Sequence, residues 1–134
     1  MAHENVALAE AFLAAIPTGV IADELVTEDF AAWTTSSGSM LIDKYRGGVR
    51  LLATLFADRM RIEIASTTAQ DDRVAVEAES YGELIDGKTY RNRYLFLFRM
   101  RGGKVASVAE HNNPLIVAET IAPLMRAAME RAGG

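Results

Sequence analysis

The feature that most constrains the fold is a change of hydrophobic period at Arg61. After it, apolar and polar residues alternate in four runs that are separated by short polar or glycine pairs. The runs are Arg61–Ala65, Arg73–Glu79, Tyr90–Met100 and Lys104–Glu110, and the pairs are Asp71-Asp72, Asp86-Gly87 and Gly102-Gly103. Such pairs between alternating runs indicate hairpin turns. The second half of the chain is therefore predicted to be an antiparallel meander of four strands.

The first half is predicted to be mostly helical. The spacing of apolar residues and the breaking and capping residues predict the following elements: a helix over 6–16, a short helix capped by Thr18 that reaches Leu25, a strand over 28–36, a loop over Ser36–Ser39, and a helix capped by Asp43 that reaches Met60. A last helical segment follows Pro114 and is interrupted near Pro123.

Helices and strands segregated in this way indicate the α+β class. We expect a cystatin-like cone, with N-terminal helices packed on a strongly curved antiparallel sheet that encloses a pocket. One domain is expected over residues 1–134, with a core at about 4–119 and a helical tail at 114–131.

Composition narrows the functional classes. The chain has 134 residues, no cysteine and a net charge of −4, so disulfide and thiolate chemistry are excluded and broad nucleic-acid binding is disfavoured. No apolar run approaches the roughly 18–20 residues of a membrane span, and a signal segment is lacking, so we expect a cytoplasmic protein. His3 and His111 are far apart, and phosphate-loop and dinucleotide fingerprints are absent. We therefore expect no metal and no cofactor.

A two-residue Asp86-Gly87 turn would fix which side chains share a face. In that register Glu79 opposes Tyr94 and Glu77 opposes Phe96, on a face that also carries Asn92 and Phe98. A carboxylate among aromatic rings loses hydration and its pKa rises, which suits a general acid or base. Glu79 is then the candidate proton carrier, with Tyr94 as a hydrogen-bond donor. Alternatively, a bulge shifts the register and turns both glutamates to solvent beside Arg91 and Arg93.

The Gly102-Gly103 turn extends the reasoning to the last strand. Pairing Met100 with Val105 turns His111 and Asn113 toward Tyr94 and Asn92, which makes His111 a candidate proton shuttle. A three-residue turn with a glycine bulge would instead turn Glu110 and Asn112 inward. Only one of these alternating sets can face the pocket.

The strand Tyr94–Phe98 is apolar on both faces, so its second face must also be covered. We expect Leu95 and Leu97 to pack against a second copy, giving a homodimer through the outer face of the sheet. Alternatively, the C-terminal segment folds back over this face.

Several of these residues resemble the SnoaL-like branch of the nuclear transport factor 2-like superfamily, over about residues 4–119. The resemblance rests on Trp33 in a first strand, the run from Asp86 to Phe98 (Asp-Gly-Lys-Thr-Tyr-Arg-Asn-Arg-Tyr-Leu-Phe-Leu-Phe), and Gly103-Lys104-Val105 leading to Glu110-His111-Asn112-Asn113. It implies a conical pocket, a frequent homodimer, and enzymes that need no cofactor. Many members end the last strand with Glu-Tyr-x-Asp. Here His111 stands at the tyrosine position and Asn113 at the aspartate position, and asparagine cannot carry a proton.

Two functions remain open on this basis. The first is a cofactor-independent isomerase, cyclase or hydrolase that moves a proton on a small apolar molecule resembling a steroid, terpene or polyketide, with Glu79, His111 and Tyr94 as catalytic residues. The second is a noncatalytic binding or assembly domain of the same fold. In both, the expected ligand-binding residues are Trp33, Glu77, Asn92, Phe96, Phe98, Glu110 and Asn113.

Overall fold

A computed structural model describes residues 2–133 of the chain, and it has four α-helices and six β-strands in that range. The helices are α1 (Ala2–Ala15), α2 (Ile42–Ala53), α3 (Pro114–Glu119) and α4 (Ile121–Gly133). The strands are β1 (Val26–Thr34), β2 (Gly38–Leu41), β3 (Arg61–Gln70), β4 (Arg73–Glu83), β5 (Thr89–Arg101) and β6 (Lys104–Asn112). The predicted meander is confirmed as β3–β6.

The six strands form one curved, unclosed sheet in the order β2-β1-β6-β5-β4-β3, with the helices packed on it. This confirms the predicted α+β class. Two details differ from the prediction. Residues 38–41 form a strand that pairs with β1 rather than a loop, and β1 runs parallel to β6, so the sheet is not antiparallel throughout.

The helical regions also differ in detail from the prediction. Two 3₁₀ turns, Ile16–Thr18 and Asp23–Leu25, replace the short helix. The Thr18 hydroxyl accepts from the Val20 amide as predicted for a cap, but Gly19 takes a left-handed φ of 80° that does not continue into a helix. Helix α2 ends at Ala53 rather than near Met60. The C-terminal break falls at Thr120, and Pro123 lies in the first turn of α4, where its missing N–H costs no helical hydrogen bond.

The core lies between the helices and one face of the sheet, which we call the inner face. Phe12 of α1 packs against Phe30, Tyr45 and Phe98 with ring centroids 5.5–5.9 Å apart. All four side chains are at most 4% exposed. On the opposite, outer face, Trp33 and Leu95 remain 37% and 43% exposed. The helices therefore cover the inner face and leave this part of the outer face open.

The β4–β5 hairpin does not have the predicted two-residue turn. The Leu84 amide donates to the Lys88 carbonyl and the Gly87 amide donates to the Leu84 carbonyl, which leaves three residues in the loop. Gly87 takes the left-handed conformation with φ 87°, whereas Asp86 does not, so the loop is a type I turn followed by a glycine bulge. The register moves by one residue as a result: Glu79 pairs with Arg93 and Glu77 with Leu95.

The β5–β6 hairpin starts in the predicted register and then leaves it. Gly102 and Gly103 form the two-residue turn, both with positive φ, and Met100 pairs with Val105. Arg99, however, pairs with Ser107, so Ala106 is an extra residue that bulges from β6. Beyond the bulge Tyr94 pairs with Asn112 and Phe96 with Glu110, which is the alternative face assignment.

No helix in residues 2–133 combines the length and the apolar character needed to cross a membrane.

Candidate functional site

A pocket of about 180 Å³ lies between the inner face of the sheet and the helices α2, α3 and α4. Its wall is mainly apolar, with Ile16, Met40, Val49, Leu52, Val117, Ile121 and Met125. The polar lining residues are Thr34, Ser36, Ser37, Tyr45, Tyr94, Glu110 and Asn112. A mostly apolar cavity with a few converging polar groups is the usual form of a small-molecule site. We call it the inner pocket.

Two larger hollows lie elsewhere in the described structure, but their polar groups are less suited to a reaction. One of about 430 Å³ on the outer face contains Glu77 and Arg93, and one of about 480 Å³ runs between α1 and β3. In the outer hollow Glu77 accepts a hydrogen bond from the Ser66 hydroxyl, and the Tyr94 hydroxyl belongs to the inner network. The residues that line the two hollows include no carboxyl group hydrogen-bonded to a buried tyrosine. The inner pocket is therefore the candidate functional site.

Glu110 is the only carboxylate among the residues that line the inner pocket. The end of β1 fixes its backbone, because Thr34 pairs with Glu110 and the amide of the next residue, Thr35, donates to the Glu110 carbonyl at 3.1 Å. Its Oε2 accepts a hydrogen bond of 2.5 Å from the Tyr45 hydroxyl of α2. Burial raises the pKa of Glu110 to about 7, against the lowering effect of the Tyr45 hydrogen bond. Near neutral pH this carboxyl group can therefore either accept or donate a proton.

Burial raises the pKa of Tyr45 well above its usual value, and the neighbouring Glu110 charge raises it further. Tyr45 therefore stays protonated and acts as a donor to the carboxylate over the physiological range. It holds one oxygen of Glu110, so the second oxygen is available to a ligand.

A second chain of hydrogen bonds ends at Tyr94. The Tyr94 and Tyr90 hydroxyls are 2.6 Å apart, and Asn92 Nδ2 donates to the Tyr90 hydroxyl at 3.2 Å. The Asn92 orientation is determined, because the Asn113 amide can only donate and does so to Asn92 Oδ1 at 3.2 Å. The Asn92 NH₂ group must therefore face Tyr90. Burial raises the pKa values of both tyrosines, so both hydroxyls stay neutral and can donate.

Asn112 adds an unpaired acceptor to the inner pocket. Its backbone amide donates to the Thr35 hydroxyl at 3.1 Å, which anchors the residue at the end of β6. Its Oδ1 is buried and has no hydrogen-bond partner within residues 2–133. Leaving a buried polar atom unpaired costs about 1–3 kcal/mol, so the atom is suited to accept a hydrogen bond from a ligand.

The site contains no metal-binding arrangement in the part of the chain that the structure describes. No group of three or more histidine, aspartate or glutamate side chains converges there. The polar groups among the residues that line the inner pocket are one carboxyl group of raised pKa, the hydroxyls of tyrosine, serine and threonine, and the Asn112 amide. This set can move a proton and stabilise a developing negative charge on oxygen.

Two of the predicted site residues, Tyr94 and Glu110, line the inner pocket. Asn92, Phe96 and Phe98 share their face of the sheet but are at most 2% exposed. Asn92 supports the tyrosine pair, whereas the two phenylalanines belong to the core beneath the pocket.

Four predicted site residues lie on the outer face instead: Trp33, Glu77, Glu79 and His111. For the last three the reason is that the pairing in each hairpin differs from the predicted pairing by one residue. Glu79 pairs with the guanidinium of Arg91, and Glu77 accepts a 2.7 Å hydrogen bond from the Ser66 hydroxyl. His111 is exposed and its ring stacks on Trp33 with centroids 4.8 Å apart. The prediction that these side chains face the pocket is therefore wrong, and the geometric basis for Glu79 and His111 as proton carriers is lost.

Asn113 is also misplaced by the prediction. Its side chain accepts a 3.0 Å hydrogen bond from the Leu115 amide and caps α3, outside the inner pocket. Its backbone, rather than its side chain, serves the site by orienting Asn92.

Tyr45 is the main pocket residue whose role the sequence analysis missed. The residue belongs to a helical stripe, which is equally typical of a core position. Its partner Glu110 lies 65 positions further along the chain, so nothing local to Tyr45 indicates the contact. The sequence analysis also assigns no pocket role to the C-terminal helices, whereas Ile121 and Met125 line the inner pocket.

Comparison with known proteins gives one family. The family model described as SnoaL-like domain matches residues 8–108. No curated protein sequence matches the chain.

Solved structures with the same fold share little sequence with the chain. A provisionally assigned SnoaL-like polyketide cyclase from Jannaschia sp. CCS1 is 17% identical, with a TM-score of 0.75 over 90% of this chain and 92% of that one. PrhC from Penicillium brasilianum NBRC 6234 is 16% identical, with a TM-score of 0.76 over 95% and 91%. A nuclear transport factor 2-like protein from Anabaena variabilis ATCC 29413 is 22% identical, with a TM-score of 0.72 over 82% and 90%. At these identities the likeness shows the fold alone.

Proposed function

The chain belongs to the SnoaL-like domain family, and from this premise we propose that its inner pocket binds a small, largely apolar carbonyl compound and moves a proton on it without a cofactor. The observation that supports the proposal most directly is the Glu110 carboxyl group, with a pKa of about 7, hydrogen-bonded to Tyr45 in a largely apolar pocket. Similarity to a provisionally assigned polyketide cyclase agrees with this chemistry.

In the proposed reaction, ionised Glu110 takes a proton from the carbon next to the carbonyl group. The electron pair of the broken C–H bond forms a carbon–carbon double bond, and the carbonyl oxygen becomes an enolate oxygen. In an isomerisation the enolate is conjugated with a neighbouring carbon–carbon double bond, and neutral Glu110 returns the proton to the far carbon of that bond while the carbonyl re-forms. In a cyclisation the enolate carbon instead bonds to a second carbonyl carbon of the same molecule, the π pair of that carbonyl moves to its oxygen, and Glu110 gives the proton to the resulting alkoxide. Atoms and charge balance without an added oxidant or reductant.

Tyr94 is the proposed donor to the enolate oxygen. Asn92 donates to the Tyr90 hydroxyl, so the Tyr90 hydrogen is free to point to Tyr94 and the Tyr94 hydrogen to the ligand. Donors that are already oriented toward a developing oxyanion lower the barrier, typically by about 3–4 kcal/mol each. Asn112 Oδ1, unpaired within residues 2–133, would accept from a hydroxyl group of the ligand.

The size of the inner pocket favours a compound of one or two rings. Pockets that hold drug-sized ligands measure about 300–1,000 Å³, whereas this one measures about 180 Å³. Among the expected ligands, a short polyketide or terpene fragment fits this volume better than a four-ring steroid.

The test is proton exchange, which does not require the natural substrate. With 2-tetralone in D₂O, we expect the protein to speed the loss of the α-proton NMR signal above the rate in buffer alone. Because a positioned base contributes about 10²–10⁴-fold, Glu110→Gln should reduce the protein-dependent rate by at least about 100-fold. Glu79→Gln is the matched control and should leave this rate within about twofold.

Two outcomes would contradict the proposal. Unchanged exchange in Glu110→Gln would exclude Glu110 as the base. Binding of 2-tetralone with no exchange in the parent protein would favour the noncatalytic binding domain instead.

We further propose that the outer face pairs with a second copy of the chain. Trp33 and Leu95 expose large apolar surfaces there, and arginine and glutamate side chains surround them on β4 and β5. A two-fold axis through such a face brings apolar surface onto apolar surface and allows opposite charges to meet at the rim.

A further inference from the structure

Helix α2 presents one stripe of side chains to the inner pocket. Tyr45, Gly48, Val49 and Leu52 stand at the spacing i, i+3, i+4, i+7, and all four line the cavity. At three of these positions a side chain fills space against the cavity. At Gly48 the wall of the pocket is helix backbone.

The fold gives no reason for a glycine at this position. Gly82 is required because a Cβ atom there would lie 2.7 Å from Cδ2 of Phe56, and Gly87 is required by its φ of 87°. A Cβ atom built on Gly48 would meet no atom within 4 Å, and the residue has ordinary helical geometry. Glycine inside a helix destabilises it relative to alanine. Gly47 and Gly48 both reduce helix stability without a packing reason, but of the two only Gly48 lines the inner pocket.

That space adjoins the Tyr45–Glu110 pair. Gly48 is one helical turn beyond Tyr45, whose hydroxyl donates to Glu110 Oε2 at 2.5 Å. A planar ring whose reactive carbon meets Glu110 would extend over the bare backbone at Gly48.

We infer that Gly48 is a specificity-determining residue, which leaves room for the second ring of a flat bicyclic ligand beside Glu110. The inference rests on the proposed function for the position of the reactive carbon. The space available at Gly48 depends only on the cavity and on where a Cβ atom at Gly48 would lie.

Gly47 provides a matched control. It is the preceding residue of α2, it is exposed, and a Cβ atom there also meets nothing within 4 Å. Alanine at either position should raise the thermal midpoint of unfolding by a similar amount, because both remove a glycine from the helix interior. Of the two positions, only position 48 lines the inner pocket.

The experiment measures the affinity of phenol and 2-naphthol for the parent protein, Gly48→Ala and Gly47→Ala by calorimetry. For Gly48→Ala we expect phenol affinity within about twofold of the parent and 2-naphthol affinity reduced about tenfold or more, since an added methyl group overfills a site that a second ring occupies. Gly47→Ala should bind both compounds like the parent. Gly48→Leu, which fills the cavity further, should lose both.

Equal loss of 2-naphthol in both alanine variants, no loss in either, or no binding of either compound to the parent would overturn the inference. These results are distinct from failure of the proposed function. If Glu110→Gln keeps the exchange rate while Gly48→Ala still selects against 2-naphthol, proton transfer fails and the role of Gly48 stands. If Glu110→Gln abolishes exchange while Gly48→Ala binds both compounds like Gly47→Ala, the proposed proton transfer stands and the role of Gly48 fails.

Discussion

The two faces of the sheet carry the same kinds of side chain with opposite consequences. On the inner face Glu110 meets the Tyr45 hydroxyl in a pocket, and burial raises its pKa to about 7. On the outer face Glu79 meets the Arg91 guanidinium at the surface, where the arginine side chain is 57% exposed. One carboxyl group can gain or lose a proton near neutral pH, and the other forms a screened surface pair.

The difference comes from one residue of register in each hairpin. Successive side chains of a strand point to opposite faces, so a shift by one residue exchanges the two sets completely. The extra residue Ala106 in β6 turns Glu110 inward and His111 outward. The turn in the β4–β5 hairpin and the bulge in β6 therefore determine which carboxyl groups face the pocket and which face outward.

The first way to sharpen the comparison is to truncate one side chain on each face of β5. Phe98 is fully buried and packs edge-on against Phe12, so Phe98→Ala should reduce the free energy of unfolding by about 3–5 kcal/mol. Leu95 is 43% exposed on the other face, and Leu95→Ala should cost less than about 1 kcal/mol in the dilute protein. Urea unfolding measures both changes. Similar losses in the two variants would contradict the assignment of faces.

The second prediction concerns the pH dependence of stability that the inner-face carboxyl group of Glu110 produces. The Glu110 pKa is raised in the folded state from 4.5 to about 7, so the folded protein binds the proton more tightly than the unfolded chain does. Stability from this group is fully present below about pH 4.5 and is lost as the pH rises through about 7. Glu110→Gln, which stays neutral, should therefore be more stable than the parent by roughly 3 kcal/mol at pH 8.5.

Denaturation at pH 4 and pH 8.5 checks this difference. At pH 4 the parent carboxyl group is also neutral, so the two proteins should differ little. Tyr45→Phe should move the Glu110 transition to higher pH, because the Tyr45 hydrogen bond lowers that pKa. A stability difference that is the same at both pH values would contradict a buried, titrating Glu110.

The sequence predicts the strands of the meander but not which strand residues pair with each other. Alternation and turn pairs predict the four meander strands, and they also predict the correct inner face for β5, with Asn92, Tyr94, Phe96 and Phe98 together. The two-residue turns expected at Asp86-Gly87 and Gly102-Gly103, however, assign Glu77 and Glu79 of β4 and His111 of β6 to the wrong face. Strand periodicity is a property of each strand alone, whereas register depends on the connection between two strands.

The two connections fail to predict register for different physical reasons. Asp86-Gly87 fits both a two-residue turn with two positive φ values and a three-residue loop with one, and the choice depends on whether Asp86 adopts positive φ. Ala106 has no feature that indicates a bulge. The bulge coincides with a break in the β1–β6 pairing, where Val26 pairs with Val105 but Ala31 pairs with Ser107. The pairing of β1 with β6 joins residues far apart in the sequence, so no local pattern around Ala106 indicates it.

The last prediction has the smallest effect on the subunit itself and concerns the outer face alone. If Trp33 and Leu95 meet a second copy, Trp33→Glu should convert a dimer to a monomer in sedimentation, because it places a charge in an apolar contact. The subunit's own free energy of unfolding should change by no more than about 1 kcal/mol, since the Trp33 side chain is already partly exposed and its ring packs against the exposed ring of His111. Glu79→Gln, at the charged rim, should weaken the dimer less and only at low salt. A parent protein that stays monomeric at high concentration would contradict the pairing. The inner pocket is built from one copy of the chain, so proton exchange on 2-tetralone should survive in the monomeric variant.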